Sequence, residues 1–431
     1  GLVLAVADDP GMHSSQNEQD SRAYAKFALV PCLEPATQQE AYDMTRYAFR
    51  LSEEMSLPVV IRLVTRLAHS RADVITGEAR PQNELHRPSD PMQFTLLPSN
   101  SRILYRKLVA KQDDLLARSE ASAFNRLDLS APDRSRGIVA NGVAWNYVLE
   151  AFDGRVPYPS LKIGQSPLPV GLLRQLVDAV PEIVVVEEGY PILEEALRGV
   201  CGIPGKTIRG KLDRLLPRTG EMDPDVVGRA LGVVNSSVQA PTLAHIPGRP
   251  PALCQGCGHA DTFLQMKEAA SPWGDIRLFA DIGCYTLGFY APFNAVQSCV
   301  DMGASISMAA GAAHAGEFPV VCAIGDSTFM HSGMTPLVGA AREDVNMVVF
   351  VLDNGTVAMT GTQETMATGE RLDSVLLGLG VSPDHLKVIN PLPKYRDENV
   401  RTIRAEIEHK GLSVVIARRP CIQAKRRSAQ G

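Results

Sequence analysis

Two polar residues, Asp326 and Asn354, each follow an apolar run of the kind that forms a buried strand. The runs are Val320–Ile324 and Met347–Leu352, and the segment between them, Gly333–Glu343, has helical spacing. Because parallel strands joined by a helix place their carboxyl ends on one edge of a sheet, the two polar residues should lie side by side. A carboxylate and an amide oxygen there suit Mg²⁺ or Ca²⁺.

Small residues around Asp326 indicate what else could bind at this edge. Gly325, Ser327 and Gly333 would let backbone amides approach an anion at the start of a helix. Because Mg²⁺ keeps few protein ligands and completes its shell with phosphate oxygens, the sequence predicts a diphosphate bound through Mg²⁺.

The amino-acid composition limits the classes of protein to which this chain can belong. The chain has 431 residues, 45% hydrophobic, 21% charged and with a net charge of −5, which is typical of a globular protein with no electrostatic case for nucleic acid. Its length predicts about three domains of roughly 150 residues each.

The longest charge-free stretch, Ile282–Val300, contains Gly, Pro, Asn and Gln and fails as a membrane span. We therefore expect no membrane association, a cytoplasmic location, and partners that are small molecules or other subunits.

The N-terminal 75 residues look like the end of an α/β domain. They contain strand Leu2–Ala7, helix Thr37–Met55 and strand Val59–Val64, with a polar loop after the first strand that is either solvated or substrate-facing. Because Gly1 begins in mid-strand without Met or a signal peptide, we expect a truncated start that lacks part of this domain.

A connector over 76–136, with one helix from Ser99 to Phe124, leads to a second α/β unit over 137–216. The acidic pair Glu187-Glu188 at a strand end of this unit favours an interface or solvent role over catalysis. Prolines predict an irregular linker over 217–248, and a third domain would run over 249–431 and end in a frayed basic tail. The strands and helices predicted for the second unit are Gly137–Ala140, a helix through Glu150, Leu161–Ile163, Leu168–Ala179, Ile183–Val186 and Ile192–Arg198.

The cysteines are too few for a disulfide scaffold, at eight in 431 residues. Cys322 looks like a strand residue. Four others stand beside Gly or Pro in loop-like sequence, where metal ligands are usually presented: Cys254, Cys257, Cys284 and Cys421.

The strand-end segment resembles the thiamine-diphosphate signature, GDG followed at a characteristic distance by NN. Here Gly325-Asp326-Ser327 is followed by 25 residues (328–352) and then Asp353-Asn354, so Ser replaces the third Gly and Asp the first Asn. The resemblance implies that Asp326 and Asn354 bind the metal ion, that the backbone carbonyl of Thr356 is its third protein ligand, and that Thr360 contacts the diphosphate.

The longer pattern resembles the 2-oxoacid:ferredoxin oxidoreductases, and within them the large subunits of the indolepyruvate type. The motifs that carry this likeness are LCQGCGH, DIGCYTLG, CVDMGAS, GDSTFMHSG, LDNGTVAMTGTQ and ARRPCI, joined by DDPGMHSSQNEQDSR, TRLAHSR and VVVEEG. It implies a multi-domain α/β thiamine-diphosphate-binding fold with parallel sheets flanked by helices. Residues 1–75 would belong to a pyrimidine-binding domain, 137–216 to a transketolase-C-terminal-like domain and 249–431 to a diphosphate-binding domain.

The same resemblance implies that Cys254, Cys257, Cys284 and Cys421 hold a [4Fe–4S] cluster, which four thiolates suit. Three alternatives stay open. Zinc could use Cys254, Cys257 and Cys284 with His259, the CxxC pair could be redox-active, or the cysteines could be structural.

Further site roles follow from the resemblance alone. Leu287 would press on the cofactor, and His331 would face the substrate together with Ser14, Ser15, His69 and Arg71, of which Arg71 could pair with a carboxylate. The remaining residues expected near the cofactor are Gly283, Cys284, Gly303, Ala304, Ser305, Gly325, Ser327 and Thr328.

The implied activity is thiamine-dependent oxidative decarboxylation of an aryl 2-oxoacid such as indolepyruvate. Coenzyme A would be the co-substrate, the product an acyl-CoA, and the electrons would pass through the cluster to ferredoxin. A smaller beta subunit, an oligomer and oxygen sensitivity are also implied. The Glu that activates the aminopyrimidine would lie upstream of this chain, and the family's ferredoxin-like extension would follow it or belong to another polypeptide. The alternatives are a non-oxidative thiamine-dependent 2-oxoacid decarboxylase and a catalytically inert subunit of the same fold.

Overall fold

The computed structural model describes residues 1–79, 81, 97–199, 202–233, 251–274 and 277–424. The chain forms two compact units, Gly1–Thr242 and Leu243–Gly431, which are described separately. Within the described ranges, no helix is both long enough and apolar enough to cross a bilayer.

The first unit begins with a small sheet of strand order β1-β3-β2-β7. Strand β3 pairs in parallel with β1 and β2, and the short β7 joins β2 antiparallel. The predicted helix over this sheet is confirmed: the Thr37 hydroxyl accepts from the backbone N–H of Glu40 at its start, and the buried Met44 and Leu51 lie on one face. The elements are β1 (Val3–Asp8), α1 (Arg22–Ala28), β2 (Cys32–Leu33), α2 (Gln38–Met55), β3 (Val59–Val64), α3 (Thr65–His69) and β7 (Gln165–Ser166).

A second sheet of the first unit has the order β4-β6-β5-β8-β9 and is parallel except for β4. The strands and helices predicted over 137–198 are confirmed to within a few residues. The elements are α4 (Pro98–Ala110), α5 (Gln112–Glu120), β4 (Arg126–Asp128), β5 (Gly137–Asn141), α6 (Ala144–Ala151), β6 (Ser160–Ile163), α7 (Val170–Ala179), β8 (Glu182–Val186), α8 (Ile192–Arg198), β9 (Thr207–Arg209) and α9 (Pro224–Leu231).

Two local predictions for the first unit are wrong. The single helix expected from Ser99 to Phe124 is two helices, α4 and α5, that meet at Lys111. The stretch expected to be an irregular linker contains α9, because Pro224 stands at the first helical position, where its missing N–H costs nothing, and the Asp223 carboxylate accepts from the N–H of Val226. The rest of that stretch, 234–248, and most of the basic tail, 425–431, lie outside the described residues.

The acidic pair Glu187-Glu188 is also not a solvent feature. Both side chains are buried, and Glu187 is only 1% exposed. Its carboxylate accepts from the Arg22 guanidinium at 2.8 Å and from the backbone N–H of Leu193 at 3.0 Å. Arg22 is 165 positions away in the sequence, so a long-range ion pair accounts for the burial.

In the described part of the second unit, six parallel strands form one sheet of order β11-β10-β12-β13-β15-β14. The predicted strand–helix–strand segment is confirmed, with a π-helical turn at Phe329–Gly333 before its helix. The elements are α10 (Gly258–Ala270), β10 (Arg277–Ala280), β11 (Val296–Cys299), α11 (Ala304–His314), β12 (Val320–Gly325), α12 (Asp326–Thr328), α13 (Met334–Glu343), β13 (Met347–Asp353), α14 (Glu370–Gly378), β14 (Leu386–Ile389), α15 (Arg396–Glu408) and β15 (Leu412–Arg418).

Both faces of this second sheet are buried, which is why its central strands are apolar without alternation. Val321 and Ala323 of β12 pack into a cluster with residues of α10 and α15. Cys322 and Ile324 of the same strand pack on the opposite face with residues of α11, α13 and α14. The parallel strands end on one edge of the sheet, and the loops that follow β10, β12, β13 and β15 lie there.

The finer division of the chain into pyrimidine-binding, transketolase-C-terminal-like and diphosphate-binding domains stays a prediction.

Candidate active site

Asp326 is a buried carboxylate at the end of β12, and it forms no salt bridge with the described residues. It is 2% exposed, and its two oxygens accept from the backbone N–H groups of Ser327 at 2.7 Å and Gly355 at 2.8 Å. Burial raises the pKa of Asp326 to about 6. A desolvated carboxylate whose partners among the described residues are all backbone amides has the chemistry of a ligand to a divalent cation.

Asn354 lies beside Asp326, as predicted from the position of each residue at a strand end. The strands β12 and β13 are adjacent, and Gly325 of β12 pairs with Leu352 of β13. The Asn354 side-chain oxygen accepts from the N–H of Thr356 at 2.9 Å. Thr356 in turn donates its hydroxyl to the carbonyl of Gln363 at 2.8 Å. The loop after β13 is therefore folded back on itself around the two expected metal ligands.

Thr360 lies further along this loop and is exposed. Its hydroxyl donates to the Gln363 side-chain oxygen at 2.8 Å. The described residues place it on the same loop as Thr356, and its contact with a diphosphate stays a prediction.

His259 contacts Asn354, which the sequence did not indicate. Its Nε2 lies 3.4 Å from the Asn354 amide nitrogen, and its buried Nδ1 has no hydrogen-bond partner in the described structure. Burial lowers the pKa of His259 to about 4, so the imidazole is neutral near pH 7 and its Nε2 can accept from the amide. This contact would orient the Asn354 oxygen toward a bound cation.

We predict that His259→Leu lowers the affinity for Mg²⁺ by about 10- to 100-fold, the usual cost of losing an outer-shell partner. Calorimetric titration of Mg²⁺ in the presence of thiamine diphosphate measures this affinity. His314→Leu is the matched control, because His314 is exposed at the C-terminal end of α11, where it pairs with Glu343 and not with a site residue. Equal Mg²⁺ affinities in the two variants would refute the orienting role.

The glycines of the site are required by close packing around Tyr285. A Cβ on Gly283 would come within 2.4 Å of the Tyr285 ring, and one on Gly325 within 2.9 Å. Tyr285 is itself buried, so the ring has little freedom to move away. Gly303 has a φ of +104° and would meet Ser332 at 2.5 Å, so it too accepts no side chain.

Asp281 holds the start of α11 in place and was missed in the sequence. It follows β10, is fully buried, and accepts from the backbone N–H of Ser305 at 2.8 Å and from its hydroxyl at 2.7 Å. These bonds fix the first turn of α11, the helix that begins at Ala304 after Gly303. The only signal in the sequence was an acidic residue at a third strand end, which the short β10 made hard to recognise.

The other predicted cofactor residues fall around the same edge. The Thr328 hydroxyl donates to the carbonyl of Ile282 at 3.1 Å, which ties α12 to the loop after β10. Leu287 is half-buried in the 3₁₀ turn Cys284–Phe289. His331 lies in the π-helical turn and hydrogen-bonds its neighbour Ser332. Such turns recur at functional sites, but the substrate contact of His331 stays a prediction.

The four cysteines lie near one another in the second unit and none is in a disulfide. Burial raises the pKa of Cys284 to about 11, and its thiol also interacts electrostatically with those of Cys257, Cys421 and Cys254. Cys257 is the residue before α10, and burial raises the pKa of its thiol. Cys254 is exposed and accepts from the Gln423 amide at 3.3 Å.

In the part of the chain that the structure describes, no three His, Cys, Asp or Glu side chains are close enough to hold one metal ion. His259 Nε2 is turned to Asn354, and the described residues show no preformed cluster-binding site either. The cluster, zinc and structural alternatives for the four cysteines therefore all stay predictions.

The backbone links the cysteines to the expected metal site. The N–H of Cys421 donates to the carbonyl of Asn354 at 3.0 Å, and the N–H of Arg419 donates to that of Asp353 at 2.9 Å. The Arg418 guanidinium donates to the buried Asp353 carboxylate at 2.7 Å and also pairs with Asp373. Asp353, which replaces an Asn of the signature, thus anchors the end of β15.

We predict that Arg418→Met lowers the free energy of unfolding by about 3–5 kcal/mol, because it leaves Asp353 buried without its cation. Urea unfolding measures the change, and Arg342→Met, at an exposed position of α13, is the control with an expected change below about 0.5 kcal/mol. A loss as small as that of the control would contradict the assigned anchor.

The predicted substrate-side residues of the first unit belong to the loop after β1 and to the segment around the end of α3. The N–H groups of Ser14 and Ser15 both donate to the Asp9 carboxylate, at 2.8 and 2.9 Å, and these bonds hold the pKa of Asp9 well below its usual range. Arg71 is exposed and, like His69, forms no ion pair with the described residues. Their role in binding substrate stays a prediction.

Comparison with known proteins agrees with this geometry. Residues 281–417, which span the strand ends of the second unit, match the family model described as thiamine pyrophosphate enzyme, C-terminal TPP binding domain. The indolepyruvate oxidoreductase subunit IorA of Methanothermobacter thermautotrophicus is 36% identical over 98% of this chain and 71% of its own length. That of Archaeoglobus fulgidus is 35% identical over 98% of this chain and 70% of its own.

Among solved structures, 2-oxoglutarate:ferredoxin oxidoreductase from Magnetococcus marinus aligns with 41% of this chain and 67% of its own at 18% identity. Its TM-score of 0.32 is too low to support a conclusion. The family is assigned from the homologous sequences, because their identity to this chain extends over nearly its whole length. The chain belongs to the family of the indolepyruvate oxidoreductase subunit IorA.

Proposed function

We propose that this chain is the thiamine-diphosphate-binding subunit of a 2-oxoacid:ferredoxin oxidoreductase. The observation that carries the proposal is the buried Asp326 carboxylate, which accepts from backbone amides beside Asn354 and lies inside the segment that matches a thiamine-diphosphate-binding domain. Bound thiamine diphosphate supplies the carbanion stabilisation that decarboxylation of a 2-oxoacid requires, and the protein supplies position and electrostatics.

Metal binding is the first task of the chain's own residues. Asp326 and Asn354 would each give one oxygen to Mg²⁺, the Thr356 carbonyl a third, and the cofactor's phosphate oxygens would complete the shell. Neutral His259 would hold the Asn354 amide in the binding orientation. The charge of Mg²⁺ would also stabilise the Asp326 carboxylate against the desolvation that now raises its pKa.

Holding the diphosphate is the second task. Asp281 orients the first turn of α11, so that N–H groups following Gly303 are available to phosphate oxygens. Gly303 and Gly325 allow the close packing against Ser332 and Tyr285 that holds these loops in place, and Ser327 and Thr328 would lie near the diphosphate. Leu287 would contact the body of the cofactor.

Electron transfer is the third task. The thiols of Cys254, Cys257, Cys284 and Cys421 would hold a [4Fe–4S] cluster as thiolates, a few bonds from Asn354 through the Cys421 N–H. The electrostatic interaction of Cys284 with the other three supports this assignment. Ferredoxin would receive the electrons, and coenzyme A would receive the acyl group.

An aryl 2-oxoacid such as indolepyruvate is the proposed substrate, on the strength of the relatives' name. By resemblance, Arg71 would pair with its carboxylate, and Ser14 and Ser15 are proposed substrate residues of the same unit. His331 is the substrate residue proposed for the second unit. A smaller beta subunit would complete the enzyme in an oligomer.

Substrate choice is tested by comparing kcat/KM for indolepyruvate, phenylpyruvate, pyruvate and a branched-chain 2-oxoacid in the complex with its beta subunit. We predict that the two aryl substrates exceed the others by at least about tenfold, because a pocket that buries an aromatic ring gains more than 1.4 kcal/mol from it. Equal or greater kcat/KM for pyruvate would contradict the aryl assignment.

A further inference from the structure

A cavity in the first unit is lined by none of the proposed metal, cofactor, cluster or substrate residues. Its volume is about 390 Å³, within the range of roughly 300–1,000 Å³ that small-molecule sites occupy. Its walls are mostly apolar and come from α1, α5, β6 and α8, through Leu29, Leu115, Ile163 and Leu193. The described residues thus enclose a space large enough for a ring with a short side chain.

One end of the cavity is polar and lies where parallel strands end. Asn141 is the last residue of β5, the neighbour of β6 and β8, and it lines the cavity with Glu34. Such strand ends are where α/β sheets bind ligands. Both side chains are almost fully buried, at 4% and 5% exposure.

The hydrogen bonds at this end leave acceptors in excess. The Asn141 amide donates to Glu34 Oε2 at 2.8 Å, and the Arg62 guanidinium donates to the same oxygen at 3.0 Å. The Asn141 oxygen, which is buried, has no hydrogen-bond partner in the described structure. A buried acceptor without a donor is costly. Arg62 Nη2 also has no partner in the described structure, but Arg62 does not line the cavity, so the unpartnered polar atom on the lining itself is an acceptor.

The charged groups around Glu34 also favour a positively charged ligand. Arg22 and Arg62 pair with four buried carboxylates: Asp8, Asp20, Glu34 and Glu187. Burial raises the pKa of Glu187, yet carboxylates outnumber guanidinium groups even when Glu187 is protonated. The neighbouring Glu188 and Lys211 balance one another. An incoming cation would therefore be attracted and an anion repelled.

The cavity also reaches the surface. Val170, at the start of α7, lines it and is 39% exposed, and the exposed Lys26 lies on the same lining. A ligand could enter there without opening the core. Replacement of Val170 by a larger residue would fill the entrance while leaving the buried ion pairs intact.

We propose that this cavity binds a small molecule with an apolar body and an amine at one end, the apolar body against Leu115 and Ile163 and the amine at Glu34. Such a ligand differs from the 2-oxoacid of the proposed reaction, which carries a carboxylate. The site would therefore be a second, separate binding site of the chain.

Benzylamine and benzoate test the proposal, because they share a ring and carry opposite charges. Each is titrated into the full-length chain and its binding measured by ligand-observed NMR and calorimetry. We expect benzylamine to bind at least about tenfold more tightly than benzoate. Val170→Trp should weaken benzylamine binding by about tenfold or more, whereas Val338→Trp, an exposed position of α13 in the other unit, should leave it unchanged.

Three results would overturn the proposal. One is the absence of benzylamine binding, another is benzoate binding as tightly as benzylamine, and the third is benzylamine affinity that Val170→Trp does not reduce. The second result is also what a 2-oxoacid site would give, so the ratio of the two probes separates this cavity from the proposed active site. A circular dichroism spectrum and an unfolding curve that match the wild type show that the Val170 variant is folded.

Discussion

Replacement of Asp326 by Ala is expected to abolish Mg²⁺-dependent binding of thiamine diphosphate. Asp326 is the only carboxylate among the proposed metal ligands, so its loss should exceed the roughly 10- to 100-fold cost of removing an outer-shell partner. Isothermal titration with the cofactor, with and without Mg²⁺, measures the effect. Asp397→Ala, at an exposed position in the first turn of α15, is the control and should bind as the wild type does.

The isosteric variant Asp326→Asn separates binding from folding. Because burial raises the pKa of Asp326 to about 6, its carboxylate is destabilised in the folded, metal-free protein near pH 7. The Asn oxygen can still accept from a backbone N–H. We therefore expect metal-free Asp326→Asn to unfold at no lower urea concentration than the wild type while losing the cofactor. Unchanged cofactor affinity in both variants would refute the metal assignment.

Replacement of Cys284 by Ser is expected to remove the iron–sulfur cluster. A cluster of this type needs four thiolates, and the Cys284 thiol interacts with the other three. Anaerobically purified wild type should be brown and contain about four iron atoms per chain, whereas Cys284→Ser should lose most of both. Cys299→Ser is the control, since Cys299 is a half-buried cysteine of the same unit that lies outside the proposed set.

Metal analysis of the same preparations decides among the alternatives for the cysteines. A colourless wild type that contains zinc would favour the zinc site, and one that contains neither metal would favour structural cysteines. Iron that persists in Cys284→Ser but is lost in Cys299→Ser would show that the ligand set is wrongly assigned.

Much of the second unit could be predicted because its signals are local. The apolar runs of β12 and β13 are buried on both faces, so they stand out in the sequence, and their parallel pairing follows from the helix between them. From that pairing alone, Asp326 and Asn354 were expected to be neighbours, which the Gly355 N–H bond to Asp326 bears out.

What could not be predicted depends on partners that are distant in the sequence. Glu187 is buried because Arg22 reaches it from 165 positions away, and no local pattern reveals that. His259 contacts Asn354 across 95 positions. The helix α9 was missed for a local reason, since Pro224 was taken as a breaker although it is favoured at a helix start. The cysteine set was singled out by its loop-like context and received its cluster role by resemblance, and sequence spacing says nothing about the distances between its sulfur atoms.

The central claim is that this chain couples thiamine-dependent decarboxylation of a 2-oxoacid to electron transfer. The most direct measurement is anaerobic reduction of a viologen dye by the chain with its beta subunit, supplied with indolepyruvate and coenzyme A, with and without thiamine diphosphate and Mg²⁺. We predict dye reduction that requires thiamine diphosphate and yields one acyl-CoA for each CO₂ released. Release of CO₂ with an aldehyde and no dye reduction, or no turnover at all, would contradict the claim.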